Sequence, residues 1–481
     1  MSLIPNGLAK SAAEAGFYDH PIEQSLRLNY NDSAYLSWTP SSAGNRKTFT
    51  FSCWCKLGNG VTVPIIADDA GTSNSDYFSF NRGLSGNSLR VNGWSAVYAS
   101  ASGTYRDHSA WYHLVLKVDT TDATAANRVR IYVNGEDVTV TGSTIAQNTD
   151  LPFNRTNPIT IGQEYGLYAD QYLAEVNFID GTALDASSFG ETKSGVWIPK
   201  AYSGSYGTNG FYLDFGNSGS IGADVSGNGN NFTANNLAAT DVVLDSPTNN
   251  FATLNPLIPT SATTAEGNLK ANLVPVNTSI SSSFAVNSGK WYAEFVPTTI
   301  AGYATIGISS PNMTTWYGGN SIIYTSSGIL YDYGDWVASG STLSGTYTTN
   351  DIIGVALDLD SSTIEFFKNN TSLGSATISL GTTNTDVSFI LGMSSSSVTG
   401  YTYANFGQDS SFAGNKTAQG NTDDNGYGDF YYAPPSGYLA LCTANLPDPV
   451  ASIDPAQDGS PQDHFNTVLY TGTGSEQSID V

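Results

Sequence analysis

From Ser25 onward, apolar and polar residues alternate with a period of two, and turn signals separate the runs at intervals of roughly 8–12 residues. In TFTFSCWCKLG one face collects Phe49, Phe51, Cys53 and Cys55; in WYHLVLKVD it collects Tyr112, Leu114, Leu116 and Val118. RVRIYVNGEDVTV places Val129, Ile131 and Val133 on one face before an Asn134-Gly135 hairpin turn, and a further strand, Gln171 to Ile179, precedes a turn at Asp180-Gly181. The stretch DSPTNNFATLNPLIP, Asp245 to Pro259, is rich in turn formers and almost uncharged, and it reads as a boundary. Alternation then resumes. No helix longer than two or three turns is readable; the one helical patch is the Ala-rich Ala9 to Ala15. The pattern predicts an all-β chain of two antiparallel β-sandwich domains in tandem, with a short N-terminal arm (1–22), a linker (241–262) and a C-terminal extension (442–481).

Composition sharpens this picture. At 481 residues the chain has room for two sandwich-sized cores. Charged residues make up only 12%, yet 40% of residues are hydrophobic and 28 are Tyr, which excludes a disordered chain. Asp and Glu number 42 against 18 Lys and Arg, a formal charge of -24, so binding to nucleic acid or to anionic lipid is not expected. Cys53, Cys55 and Cys442 cannot form a disulfide framework and are expected to be buried free thiols. The first residues lack the apolar stretch of a signal peptide, and no run approaches a membrane span, so neither is expected.

Several of these segments also carry a resemblance. SLRLNYNDSAYLSW, FTFSCWCKLG, WYHLVLKVD, RVRIYVNGE and YLAEVNFIDGTALD together resemble the laminin-G-like, concanavalin A-type lectin/glucanase jelly roll. The family's usual opening strand is missing from the front, and a similar segment stands at Phe211 to Leu237, which implies a circularly permuted domain over residues 23–240. GKWYAEF, IGI (306–308), DIIGVALDLDSSTIEFFKNNTSLG and NFGQ resemble a SPRY domain, over residues 263–441. HFNTVLYTGTGSEQSIDV resembles the start of a further module and leaves open whether the natural chain continues beyond Val481. The combination of a jelly roll and a SPRY sandwich, with GVWIPKAYSGSYGTNGFYLDF and DSPTNNFATLNP between them, is similar to structural proteins of marine bacteriophages, usually described as tail fibres.

Glucanases of the jelly-roll family carry Glu-x-Asp-x-x-Glu on one strand, and here EVNFID offers Glu175, Asn177 and Asp180 at that spacing. Asn177 cannot supply a carboxylate and Asp180 is one methylene short, so no catalytic residue is assigned and the chain is expected not to be an enzyme. The four histidines lack a nucleophile elbow, and His113 is expected at a surface or rim. The resemblance implies calcium as the one cofactor to consider. Its ligands would be Asp68, Asp69 and Asp76 around Gly71, with a solvated turn as the plainer alternative. Carbohydrate recognition needs rings that stack on sugar C–H faces beside short polar groups. Trp316, Tyr317, Tyr331, Tyr333, Asp335 and Trp336 offer this in the second domain, and Trp94, Tyr98 and Tyr105 in the first; core packing is the alternative for each.

The resemblance therefore implies a virion appendage, tail-fibre-like or head-fibre-like, that recognises host-surface glycan. It would be assembled in the host cytoplasm, attached to other virion proteins by the N-terminal arm, and homo-oligomeric, a trimer by analogy. A decoration protein that binds other virion subunits is the alternative, and a glucan depolymerase a remote one.

Overall fold

The computed structural model describes residues 17–58, 63–68, 77–82, 88–93, 96–142, 145–274, 277–300, 302–311, 313–315, 320–332, 341–343, 345–378, 386–394, 399–457 and 459. The helical patch expected at Ala9 to Ala15 lies outside them. Among the described residues every helical element is a three-residue 3-10 turn, and the rest of the regular structure is strand.

The first sandwich has two eight-stranded sheets. In the first sheet the central strands Trp111–Asp119, Thr48–Leu57 and Gln171–Asp180 lie side by side and antiparallel. The second sheet runs from Thr139–Thr141 through Ala96–Ala101, Leu89–Gly93, Phe78–Arg82, Val63–Asp68, Ile159–Ile161 and Tyr35–Trp38 to Thr233–Asn235. Alternation does what it predicted. Phe49, Phe51, Cys53 and Cys55 face inward with Leu114, Leu116, Val118, Val129, Ile131 and Val133, and meet Phe78, Phe80, Ile159 and Ile161 of the other sheet. Asn134 and Gly135 take left-handed backbone angles (φ 49° and 88°), the conformation a tight two-residue hairpin needs. The three thiols are free and buried. The segment Phe211 to Leu237 contributes a strand to each sheet: Phe211–Leu213 pairs with Gln171–Asp180, and Thr233–Asn235 with Tyr35–Trp38.

The second sandwich pairs an eight-stranded sheet centred on Lys290–Thr299 and Ile353–Asp358 with a six-stranded sheet centred on Ser388–Ser394 and Tyr303–Ser309. Trp291, Phe295, Val355, Leu357, Ile306, Ile308, Phe389 and Leu391 fill the space between them. The hairpin after Thr363–Lys368 turns on Asn369 and Asn370, both with positive φ. Asp358 accepts hydrogen bonds from the backbone N–H groups of Asp360 and Ser361 and so fixes the turn that follows its strand.

The stretch between the sandwiches is not a free tether. Val242–Val243 pairs with Ser25–Leu28, and Asp245, Ser246, Phe251, Ala252, Thr253 and Leu254 are all buried. Asp245 and Phe251 reach the outer face of the first sheet, which carries Arg27, Lys56 and Tyr172 with no exposed surface, whereas Ala252 and Leu254 enter the core of the second sandwich. Lys56 Nζ donates to Asp245 Oδ2 (2.6 Å), Asn250 Oδ1 (2.7 Å) and the Phe251 carbonyl (2.9 Å). Burial lowers the Lys56 pKa and raises that of Asp245, each partly offset by the other. Arg27 reaches Asp409 of the second sandwich at 2.8 Å, and the Tyr172 hydroxyl donates to the Gly267 carbonyl at 2.6 Å. The boundary signal in DSPTNNFATLNPLIP is thus satisfied by turns inside a buried seam. Composition cannot tell a turn that faces solvent from one that faces another domain.

Candidate functional site

The strand with the enzymatic motif comes first. A β-bulge falls between Ala174 and Asn177, where the register against Thr48–Leu57 shifts, and Glu175 sits in it with φ 51°. Leu173, Val176 and Phe178 face the inner core, whereas Tyr172, Ala174 and Ile179 belong to outer clusters. Glu175 points to the outer side. Its Oε1 accepts the Tyr212 hydroxyl (2.7 Å) and its Oε2 meets His20 Nε2 (2.8 Å). Hydrogen bonding to Glu175 raises the His20 pKa. Asp180 instead shares the inner register with Phe178 and binds loop donors: the Asn45 N–H (2.7 Å), Asn154 Nδ2 (2.7 Å) and the Asn209 N–H (3.1 Å). Two carboxylates on opposite sides of a strand do not flank one glycosidic bond.

His113, expected at a rim, is 1% exposed, and this corrects the sequence reading. Its neighbours on the outer face are aromatic rather than aqueous: it stacks on Trp54 (4.9 Å between ring centres) and beneath Trp197 (5.9 Å). Ser52 Oγ lies 2.9 Å from its Nε2, the geometry of a nucleophile and its base. The chemistry is reversed, however. Trp197 Nε1 donates to His113 Nδ1 (3.1 Å), so the neutral ring carries its proton on Nε2 and donates to Ser52 instead of accepting from it. Burial pushes the His113 pKa down to about 3, which keeps the ring neutral. This pair is structural. The adjoining cleft among Trp54, Trp111 and Trp197 holds about 40 Å³, room for water and little more.

The other predicted residues divide by position. Tyr98 packs, partly buried, against the inner core of the first sandwich. Tyr105 does the same and meets Tyr112 edge-on at 5.5 Å. Burial raises the pKa of both hydroxyls. Both rings pack on the core with one side and keep part of their surface exposed. Tyr331 is half-buried in the six-stranded sheet opposite Ile323. Trp94, Trp316, Tyr317, Tyr333, Asp335 and Trp336 lie outside the described residues, as do Asp69 and Asp76. Asp68 is fully buried, and its Oδ1 takes Arg155 Nη2 at 2.8 Å. A carboxylate facing a guanidinium does not fit a calcium ligand. Among the described residues no three His, Cys, Asp or Glu side chains are grouped to hold a metal ion.

Sequence reasoning missed a groove at the edge of the second sheet, lined by Tyr35, Ser37, Trp38, Thr160, Gln163 and Thr233, with a volume of about 390 Å³. Its size falls in the small-ligand range of roughly 300–1,000 Å³. YLSW was legible as a strand, but its ring partners come from segments 120 or more positions away, such as Tyr168 and Phe232.

Residues 30–187 match the laminin-G-type family model described as the concanavalin A-like lectin/glucanases superfamily. The match spans less than half of the chain and covers most of the first sandwich. No curated protein sequence matches the chain. Among solved structures, the chain is similar to the SPRY domain of human HERC1 (19% identity, covering 31% of this chain and 96% of that one, TM-score 0.27). It is similar at the same level to the PSpry domain of TRIM65 (12% identity, 32% and 91% covered, TM-score 0.26) and to a human SPRY domain (16%, 28% and 90%, TM-score 0.23). Overlap of that size assigns no activity. Fold and family match together define a β-sandwich protein with a concanavalin A-like lectin/glucanase domain, a scaffold suited to binding.

Proposed function

We propose that the protein is a phage virion appendage, tail-fibre-like or head-fibre-like, whose sandwiches attach to host-surface glycan without cleaving it. The observation that carries this reading is the state of Glu175. The lectin/glucanase scaffold is present, but the carboxylate on its motif strand is engaged by His20 and Tyr212, and Asp180 is turned to the other side and used by a loop. A scaffold without its catalytic pair retains the capacity to bind. The buried seam supports a mechanical role, because a buried ion pair, Arg27 with Asp409, joins the two sandwiches and a second, Lys56 with Asp245, fixes the stretch between them. The N-terminal arm, residues 1–22, would dock on other virion proteins, and a homotrimer is the assembly proposed. No nucleic acid, membrane insertion or disulfide enters this reading.

The test is binding of the purified chain to intact candidate host cells and to a glycan array, with soluble sugars monitored for release. Saturable binding without product fits the reading. Release of sugar that Glu175→Gln abolishes would replace it with a depolymerase. Co-purification with particles in the absence of any glycan binding would replace it with a decoration protein.

A further inference from the structure

The groove of the second sheet has features that packing does not use. Tyr35–Trp38 is flanked by Ile159–Ile161 on one side and Thr233–Asn235 on the other. Leu36, Ile159 and Ile161 face the core, so Ser37 and its cross-strand partner Thr233 present hydroxyls on the outer side, beside Thr160, which is buried and gives its proton to the Gln163 carbonyl. The Ser37 hydroxyl accepts from Asn235 Nδ2 (2.9 Å), which leaves its own proton to donate. The Tyr35 ring stands half-buried at one end, 5.9 Å from Tyr168, and Trp38 closes the other against Phe211 and Phe232. No lining residue is charged, in a chain with 42 acidic side chains.

A second observation points to a ligand independently. Gln163 lines the groove and is 7% exposed, and its Oε1 is buried without any hydrogen-bond partner. Its backbone is held in place, since its carbonyl accepts the Thr160 hydroxyl at 2.8 Å. An amide oxygen sealed from water without a donor is costly, and such groups in native proteins call for an explanation. A donor supplied from outside the chain provides one once the Gln163 side chain turns its amide toward the groove. A site with hydroxyls, an amide, aromatic walls and no charge suits a neutral polyhydroxylated ring.

We propose that this groove binds one pyranose unit of an uncharged glycan, with the Tyr35 ring against its C–H face and Gln163 Oε1 accepting one of its hydroxyls. This rests on the glycan-binding reading above but places the site on the second sheet, away from Glu175 and from the aromatic clusters the sequence suggested.

The experiment titrates a panel of neutral gluco-, galacto-, manno- and xylo-oligosaccharides into the full chain by calorimetry, beside a sialylated and a sulfated oligosaccharide. Tyr35→Ala, Gln163→Leu and the obstructing Thr233→Trp are then compared with the parent, with thermal melting recorded for each. The expected result is binding of a neutral sugar that each substitution weakens by about tenfold or more. Gln163→Leu would also melt no lower than the parent, because it removes an unsatisfied group; a purely structural glutamine would not show that combination. Neutral-sugar binding that survives all three substitutions overturns the groove and leaves the glycan-binding reading standing. Binding of only the charged sugars overturns the ligand class, and binding of none overturns the groove and the reading together.

Discussion

The strand Thr48–Leu57 is buried on both sides, and its two faces are built from different materials. Inward it sends Phe49, Phe51, Cys53 and Cys55 into an apolar core shared by two sheets of one sandwich. Outward it sends Ser52, Trp54 and Lys56 to partners contributed by segments 59 to 195 positions distant. The inner face needs only shape and hydrophobicity, which many residues supply. The outer face needs a particular counter-charge or acceptor for each polar atom, so it fails abruptly when one is missing. Position in the interior therefore says little about tolerance until the chemistry of the face is known.

The comparison can be broken most forcefully at the seam. Asp245→Ala leaves the Lys56 ammonium buried without its counter-ion and is expected to cost about 3–5 kcal/mol in urea unfolding. Lys56→Met combined with Asp245→Leu should recover most of that loss, because neither charge then remains to be desolvated. Phe178→Ala on the inner face should cost a similar amount, about 3–5 kcal/mol, through the cavity it leaves. That loss should not change with pH, whereas the Asp245→Ala deficit should shrink as alkaline pH deprotonates Lys56. Equal pH dependence for the two variants would erase the distinction between the faces.

A titrating group in the second sandwich sharpens it. Glu294 is fully buried, and burial raises its pKa to about 7 despite hydrogen bonds from the backbone N–H groups of Tyr431 and Tyr432. Its folded value lies above the unfolded one. Its contribution is therefore complete below the unfolded pKa of about 4.3 and is lost as pH rises through about 7. Glu294→Gln should flatten the stability profile across that window, an effect on the order of 2–3 kcal/mol in denaturation midpoints followed from pH 4 to pH 8. The smallest effect is expected at His20. Its pKa is raised by Glu175, so the pair holds below the unfolded value near 6.5 and weakens as pH rises through the folded one. The pair is partly solvated, which limits it to less than about 1 kcal/mol. Limited proteolysis should show cleavage before Ile22 increasing from pH 6 to pH 9, and His20→Ala should remove that dependence.

The inner faces were legible in the sequence because period-two alternation is a local signal, and so was the Asn134-Gly135 turn. What escaped was non-local. His113 sits on the polar side of an alternating strand, and nothing nearby announces that Trp197 will cover it 84 positions later. The same holds for Asp245 within its turn-rich stretch. Aromatics in Gly- and Ser-rich segments carry no local sign of how much of each ring the core will take, and Tyr98 and Tyr105 give it one side each. Tyr35 and Gln163 come together only through strand pairing, and an unpaired amide oxygen has no sequence signature.

The seam also sets a schedule for the chain. Ile22 exchanges hydrogen bonds with the Thr248 hydroxyl, while the Asn250 N–H donates to the Thr443 hydroxyl and the Thr443 N–H to the Asn250 carbonyl. Thr443 follows Asn250 by 193 residues. At synthesis rates of about 5–20 residues per second, a ribosome needs some 10–40 s to deliver it after the first sandwich is complete. Throughout that interval the nascent first sandwich lacks part of the cover over its outer face and has aromatic surface to hide. Slowing translation between those positions should lower the soluble yield, whereas the same delay placed after Asn445 should have no effect.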